Sequence, residues 1–438
     1  MTRHFWVLLH RYTGLAMAGF LIIVGLTGSL LAFNSELEHA ITPQLYAVDT
    51  GGARLAAAAL IARAEALVPT AEVNYLSLGD AESVLASMSP RIDAATGKAY
   101  ELGFDQLILN PYTGQELGRR TWGAISEGMI NLMPFVYKLH FNLALGEVGM
   151  WALGITALVW TLDSFVGFYL TLPARRKKQG LSVRPEPFDL AQESLVEGGT
   201  VKPIMVRQAH HERFNYTLPN NSFWQRWQPA WLIKWRGSKH RINFDLHRAG
   251  GLWLWIMLLI FAWSSVSMNL WDTVYTKTTQ LVFDFHAPWT DLKKLDKPLE
   301  QPAIGWPQAL NIAEALMAKT AAEQGFSIEQ PIAIWLNREQ GVYVYNVRSS
   351  RDIQDKQGNT RIFFDANTGE QRLQLLPSGQ YNGNTITSWL IALHMANVFG
   401  MPYRIFVCVL GLAIIMLSVT GVIIWLRKRR AARLSTRI

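Results

Sequence analysis

Cysteine is all but missing from this 438-residue chain, where Cys408 stands alone. One thiol makes no internal disulfide and no thiolate cluster, and it leaves the redox compartment unread. Nucleotide fingerprints are missing too. No Gly-x-Gly-x-x-Gly follows a strand-like run, and the basic central segment is too short for a dinucleotide domain. His-x-x-x-His is absent, and no Glu-x-x-His falls inside an apolar stretch, which removes helix-borne zinc and di-iron sites. Charge is sparse: Asp, Glu, Lys and Arg make up 17% of the residues against 50% apolar, and four long tracts hold very few of them.

Those tracts run from Val7 to Phe33, Trp151 to Leu172, Leu252 to Leu270 and Val398 to Trp425. A bilayer takes about 20 apolar residues in helical form, so each tract predicts a span. A soluble fold would need several all-apolar core helices between polar domains. The first tract is too long for a signal-peptide core, and no small-residue cleavage site follows it before "AFNSELEH". Basic clusters stand at "ARRKKQG" (174–180) and "LRKRRAARLSTR" (426–437), and Arg3 and Arg11 flank the first tract. By the positive-inside rule these ends are cytoplasmic, with both termini inside and 34–131 and 272–385 outside. The excess of 41 basic over 33 acidic residues then reports topology and calls for no nucleic-acid partner.

The chain is written twice. "LHRYTGLAMAGF" and "LHRAGGLWLWIM" both read Leu-His-Arg-x-x-Gly-Leu and then run apolar. "VYKLHFNLALGEVG" and "LIALHMANVFGMP" both carry Leu-His with Gly six residues after the His. Between these markers, "LILNPYTGQELGRRT" (107–121) matches "IFFDANTGEQRLQLL" (362–376), each a β-type run, a Thr-Gly turn and a second run. An Ala-rich amphipathic helix precedes each, "ARLAAAALIARAEALV" and "PQALNIAEALMAKTAAEQG".

The helix-then-hairpin order with its Asp-x-x-Thr-Gly-Glu turn resembles the PepSY domain. The duplicated whole resembles the PepSY-associated transmembrane family, which includes di-haem ferric-siderophore reductases of the bacterial inner membrane. The expected fold is an α-helical membrane protein, four transmembrane helices in an internal duplication with two periplasmic α+β PepSY-like domains. The expected division is helix one at 1–33, an outer domain at 34–131, helix two at 132–173 and a cytoplasmic loop at 174–245. Helix three follows at 246–271, a second outer domain at 272–385, helix four at 386–426 and a basic tail at 427–438.

Each predicted helix carries one repeat-matched histidine. His10 and His247 fall at the cytoplasmic ends of helices one and three, His140 and His394 at the outer ends of two and four. Two imidazoles facing across a bundle are a bis-histidine haem site, so His10/His247 and His140/His394 are expected as axial ligands of two haems b. With no Cys-x-x-Cys-His, both haems would be held non-covalently. Gly14 and Gly251, each four after a His, leave room for a porphyrin; Gly146 and Gly400, each six after, lie on another face. Arg11 and Arg248 can pair haem propionates or snorkel to headgroups. Asp163 needs a basic partner at the inner interface, and Arg404 a propionate or Glu147. His4, His39, His210, His211, His240 and His286 have no repeat partner and read as ordinary polar residues. Intramembrane ionisable residues mark function by default.

Two redox centres near opposite faces predict electron transfer across the bilayer. Trp160, Trp253, Trp255, Trp263 and Phe261 lie between them, more often packing residues than couplers. The donor must be another protein, a soluble flavin or quinol. "FWQRWQPAWLIKW" reads as a segment lying on the inner leaflet. Trp122, Tyr137, Trp289 and Trp389 are candidates beside the outer haem. The resemblance implies a ferric siderophore or other ferric chelate as oxidant. Two other classes compete. One is a membrane-tethered PepSY module binding or inhibiting an envelope protease. The other is a transporter, disfavoured because the repeats are parallel and no Gly/Pro-broken helix is evident at mid-membrane.

Overall fold

The computed structural model describes residues 2–46, 52–79, 82–174 and 222–435. His210, His211, most of the 174–180 basic run and the central loop up to 221 lie outside these residues, as does the Trp289 side chain. In chain order the first half comprises α1 (Arg3–Leu31), α2 (Asn34–Ile41), α3 (Ala57–Leu67), β1 (Ala71–Ser77), β2 (Val84–Pro90), β3 (Gln106–Leu109), β4 (Glu116–Arg120), α4 (Leu132–Asn142) and α5 (Gly146–Thr171). The second comprises α6 (Phe223–Trp227), α7 (Lys239–Trp253), α8 (Trp255–Asn269), α9 (Thr276–Val282), α10 (Pro288–Asp291), α11 (Trp306–Gln324), β5 (Ile328–Asn337), β6 (Val342–Ser349), β7 (Thr360–Asp365), β8 (Gln371–Leu375), α12 (Asn382–His394) and α13 (Gly400–Ser435).

By length and composition α1, α5 and α13 can each cross a membrane, and α7 with α8 makes a fourth span if the pair counts as one. That pair is bent by 69° at Leu254, so the third span, expected as one helix over 246–271, is broken. The polar first half of α7 explains the bend: "KHRINFDLHR" cannot continue the apolar line of α8 into lipid. Helices α1 and α13 pack backbone to backbone. A Cβ on Gly25 would stand 2.8 Å from the Gly411 carbonyl oxygen, and one on Gly411 2.5 Å from that of Gly25. Ser29 Oγ donates to the Cys408 carbonyl across the seam at 2.9 Å. Small residues let helices approach this closely where lipid offers no hydrophobic drive.

The two outer units do not fold as separate domains. Their strands form one eight-stranded sheet in the order β4-β3-β2-β1-β5-β6-β7-β8. The join is antiparallel β1 on β5, with Tyr75 opposite Trp335, Leu76 opposite Ile334 and Ser77 opposite Ala333. Alone, each unit would expose an open strand edge; pairing removes both at once. Helices α3 and α11 cover one face in a shared core that includes Ile61, Leu76, Met317, Ile334 and Tyr345. The repeated turns are built identically. Asn110 Oδ1 accepts from the backbone of Tyr112 and Thr113, Asp365 Oδ1 from that of Asn367 and Thr368. Gly114 (φ 67°) and Gly369 (φ 76°) close them in the left-handed region.

The second and fourth spans also depart from expectation. His140 lies on α4 and His394 ends α12, and each short helix is parted from its span by a joint. Leu143 (φ 55°), Ala144 (φ 54°) and Gly146 (φ 60°) form the first joint; Ala396 (φ 51°), Phe399 (φ 59°) and Gly400 (φ 63°) form the second. Among the described residues, every non-glycine with positive φ belongs to these joints. Gly146 and Gly400 are therefore there for backbone conformation rather than porphyrin clearance. The sheet unit pins the second joint: Asp355 accepts from Gly400 N at 2.8 Å, and its own N–H donates to the Asn397 carbonyl at 2.8 Å.

Candidate functional site: two imidazole pairs

The four repeat-matched histidines meet in two pairs. The His10 and His247 rings stand 6.1 Å apart between centroids, those of His140 and His394 6.0 Å. Each pair takes one histidine from each half of the duplication, so both sites lie on the seam between the halves. Thr27 contacts the ring of His140, and 17 residues of α1 separate it from His10. That places the pairs about 26 Å apart along the helix. The first lies at the end carrying the basic clusters, the second beneath the sheet; they are called here the basic-face and sheet-face pairs.

Every one of the four rings has an oxygen behind Nδ1. Nδ1 of His10 donates to Asp163 Oδ2 at 2.9 Å, and that of His247 to the Leu417 carbonyl at 2.9 Å with Thr420 Oγ1 at 3.1 Å. Nδ1 of His140 meets Thr27 Oγ1 at 2.9 Å, and that of His394 meets Ser264 Oγ at 2.7 Å. Thr27 already gives its own hydrogen to the Ile23 carbonyl, and Ser264 to that of Phe261. With their hydrogens so placed, both hydroxyls accept from the imidazole. His10 and His247 face a carboxylate and a carbonyl, which call for the proton on Nδ1. His140 and His394 match them when Thr27 and Ser264 give their hydrogens to the helix carbonyls, and no Nε2 of the four has a hydrogen bond among the described residues.

Glycines seat three of the rings. A Cβ on Gly28 would come to 3.0 Å of His140 Cε1, one on Gly167 to 3.3 Å of His10 Cε1, and one on Gly421 to 3.2 Å of His247 Cε1. The fourth ring, His394, stacks on Phe261 at 4.9 Å. Sequence reading missed these contacts and the two hydroxyls. The signal was present: Thr27 follows His10 and Ser264 follows His247 by 17 residues, and Gly167 follows His140 and Gly421 follows His394 by 27. The space beside Gly14 is open, and a Cβ on Gly251 meets only Leu417 Cδ2, at 3.9 Å.

The charged residues find mostly protein partners. Asp163, buried, holds His10 and accepts from Thr13 Oγ1 at 3.0 Å, so its partner is an imidazole rather than Lys or Arg. Arg248 bonds Asp245 at 2.8 Å and the Pro229 carbonyl at 2.6 Å. Asp245 is fully buried, takes Arg241 at 2.8 Å within α7, and accepts from Lys234 N at 3.2 Å, which ties α7 to the aromatic segment before it. Arg404 forms a two-pronged pair with Glu36, at 2.6 and 2.5 Å, and donates to the Ala32 carbonyl. Glu147 is not its partner. The guanidinium holds the Glu36 carboxyl down at about 2. Arg11 has no hydrogen bond or ion pair among the described residues.

The aromatic candidates separate by place. Trp122 packs on Tyr137 and Phe141 of α4, one on either side of His140 in sequence, and Trp389 of α12 lies on Phe399. Trp160 joins the bundle core, Trp255 stacks on Phe168, Trp263 lies by Tyr275, and Trp253 bonds the Trp231 carbonyl. In the segment from Phe223 to Trp235, Trp227 is buried while Trp224 and Trp235 stand out. That is the form of an interfacial anchor.

Apolar spans, a duplicated helical frame and a sheet unit at one end define a membrane protein with an extramembrane domain. The chain matches the PepSY-associated TM region family over residues 7–195 and again over 219–428, and it belongs to that family. No curated protein matches it.

Proposed function

We propose that the two imidazole pairs are axial ligands of two b-type haems. On this reading the chain carries electrons across a bacterial inner membrane to a ferric chelate, such as a ferric siderophore, on the sheet side. Two imidazole pairs, each ring with an oxygen behind Nδ1 and no hydrogen bond at Nε2 among the described residues, support the reading. An imidazole bonded at about 2 Å to a metal has its ring centre about 3 Å from the ion, so two opposed rings stand about 6 Å apart. The spacings of 6.1 and 6.0 Å fit an ion held between each pair. An Nε2 without a protein partner is open to a metal ion, and Nδ1 bonded to a fixed oxygen is the usual support for a metal-ligating histidine. Among the described residues no three His, Cys, Asp or Glu converge, so each pair is a two-ligand site of the kind a porphyrin completes.

Haem bound there supplies a one-electron couple near each face. The residues that would hold it are His10 and His247 at the basic face and His140 and His394 at the sheet face, with room beside Gly14 and Gly251 and Arg11 free for a propionate. The positive-inside rule, applied to the basic clusters, supports a cytoplasmic place for that face. Quinol or a reduced soluble flavin is the fitting class of donor, since the chain has no nucleotide fingerprint. One quinol reduces two ferric ions and releases two protons. Ferrous iron binds hard oxygen chelators less tightly and is let go. The purified protein should carry close to two haems per chain, extractable with acid-acetone because no cysteine tethers them. A colourless preparation after expression with ample haem would overturn the reading and favour a PepSY-type binding module instead.

A further inference from the structure

Three of the four imidazoles are backed by neutral oxygens: Thr27, Ser264, and the Leu417 carbonyl with Thr420. Only His10 is backed by a carboxylate. Asp163 and Leu417 are matched positions of the duplication, each 23 residues after the histidine of the preceding short helix. Where one half places an apolar side chain, the other places a charge that is only 7% exposed and has no Lys or Arg partner among the described residues. Burying a lone carboxylate is costly. Asp163 retains it with two donors only, His10 Nδ1 and Thr13 Oγ1.

We propose that Asp163, acting through Nδ1 of His10, makes the basic-face site the more strongly reducing of the two and so sets the direction of flow from basic face to sheet face. This deepens the proposed function and rests on it. A carboxylate accepting Nδ1–H raises the basicity of Nε2, which strengthens the ligand. The buried negative charge also favours the more positive, ferric state of iron bound opposite it. Both effects lower the reduction potential, and second-layer hydrogen bonding is a recognised lever on that quantity. Thr27 and Ser264 are neutral and leave the sheet-face pair without this bias. An electron therefore runs downhill from the site backed by Asp163 towards the oxidant. Asp163 is a positioning residue here, since it reaches the iron only through His10.

The test is a mediated redox titration followed by haem absorbance. In the wild-type protein two components should resolve, and the one lost in His10→Ala should be the lower. Asp163→Asn keeps the size of the side chain and an acceptor oxygen but removes the charge. It should retain haem and raise only that component, making the reduced-to-oxidised ratio at fixed potential about tenfold higher, or 59 mV for one electron. Asp163→Leu, copying the matched position, should raise it further. Titrating Asp163→Asn in a His394→Ala background isolates the component. A merely structural tie would change haem occupancy and not the potential at full occupancy. The idea is overturned if the component lost in His10→Ala is the higher one in the wild type, a result that needs no change at Asp163. It is equally overturned if a fully loaded Asp163→Asn protein titrates at the wild-type value or below. Haem-free wild-type protein would instead sink the proposed function itself.

Discussion

The two histidine pairs come from one repeated plan but are held in different ways. At the sheet face both rings sit on short helices, α4 and α12, beside joints of left-handed residues, and each leans on a hydroxyl at a matched position. At the basic face His10 and His247 sit within α1 and α7, and their supports differ, a carboxylate for one and a backbone carbonyl for the other. On the proposed function, symmetry at the sheet face asks only that a flat group be held. Broken symmetry at the other end gives the two sites different chemistry. That difference is what a directional path requires, and a perfect duplication would not supply it.

The largest expected effect is loss of one site at a time. His140→Ala or His394→Ala should remove the sheet-face haem and leave the basic-face one, and His10→Ala or His247→Ala should do the reverse. Removing one of two ligands leaves a single imidazole, so the absorbance should fall by about half. If His10→Ala and His140→Ala abolish the same spectral component, the level-matched pairing is wrong.

The supports should matter less than the ligands, and they should matter unequally across the comparison. Thr27→Val and Ser264→Ala each remove one Nδ1 acceptor from the sheet-face pair. Loss of such a support typically weakens metal binding by about 10–100-fold. The two variants should resemble each other, because the contacts they remove are equivalent, and both should spare the basic-face component. Competition with apomyoglobin for haem, followed separately for each component, would show it. Unequal losses would mean that the sheet-face symmetry is only geometric.

Gly28→Ala makes a finer cut. The new Cβ would sit 3.0 Å from His140 Cε1, so the ring must shift by a few tenths of an ångström. In the helix itself, alanine is favoured over glycine by roughly 0.5–1 kcal/mol. The haem-free protein should therefore be as stable as wild type or slightly more so, while the sheet-face haem is held less tightly. A matching loss at both sites would point to general disruption of the bundle rather than to the seating of His140.

Much of this site was legible in the sequence because a repeat filters noise. One histidine near an apolar tract says little, whereas four in two matched registers say which are paired. The same filter, applied to hydroxyls and glycines, would have found Thr27 with Ser264 and Gly167 with Gly421. Asp163 stood out as a charge inside a span, but its partner did not, since proximity to His10 depends on how α1 and α5 cross. The joining of the two outer units was hidden for a similar reason. Edge pairing of β1 with β5 links residues some 260 apart, and no local pattern records it. The breaks at 143–146, 254 and 396–400 were also hidden. They interrupt apolar runs without proline, and their left-handed residues include Leu143 and Phe399, which carry no turn signature.

The smallest effect concerns a tie found only at the sheet end. Glu36, just beyond α1, grips Arg404 of α13 with both oxygens and fastens the two helices whose backbones touch further in. The Arg404 guanidinium lowers the Glu36 carboxyl from 4.5 to about 2. A carboxyl whose value is depressed on folding stabilises the fold fully above its unfolded value, and the contribution fades as pH falls towards the folded one. The tie should thus be intact above about pH 5 and progressively lost between there and pH 2. Glu36→Gln lacks the charge throughout, so its melting temperature should lie slightly below wild type at neutral pH and converge with it in acid. The gap should be small, because nearly half of the Glu36 side chain is exposed and exposed pairs are screened. Any accompanying change in haem retention should appear in the sheet-face component, since the basic-face pair has no contact with this tie. A melting-temperature gap that persists unchanged at pH 3, or one that loosens the basic-face haem first, would show that the two ends of the bundle are not held independently.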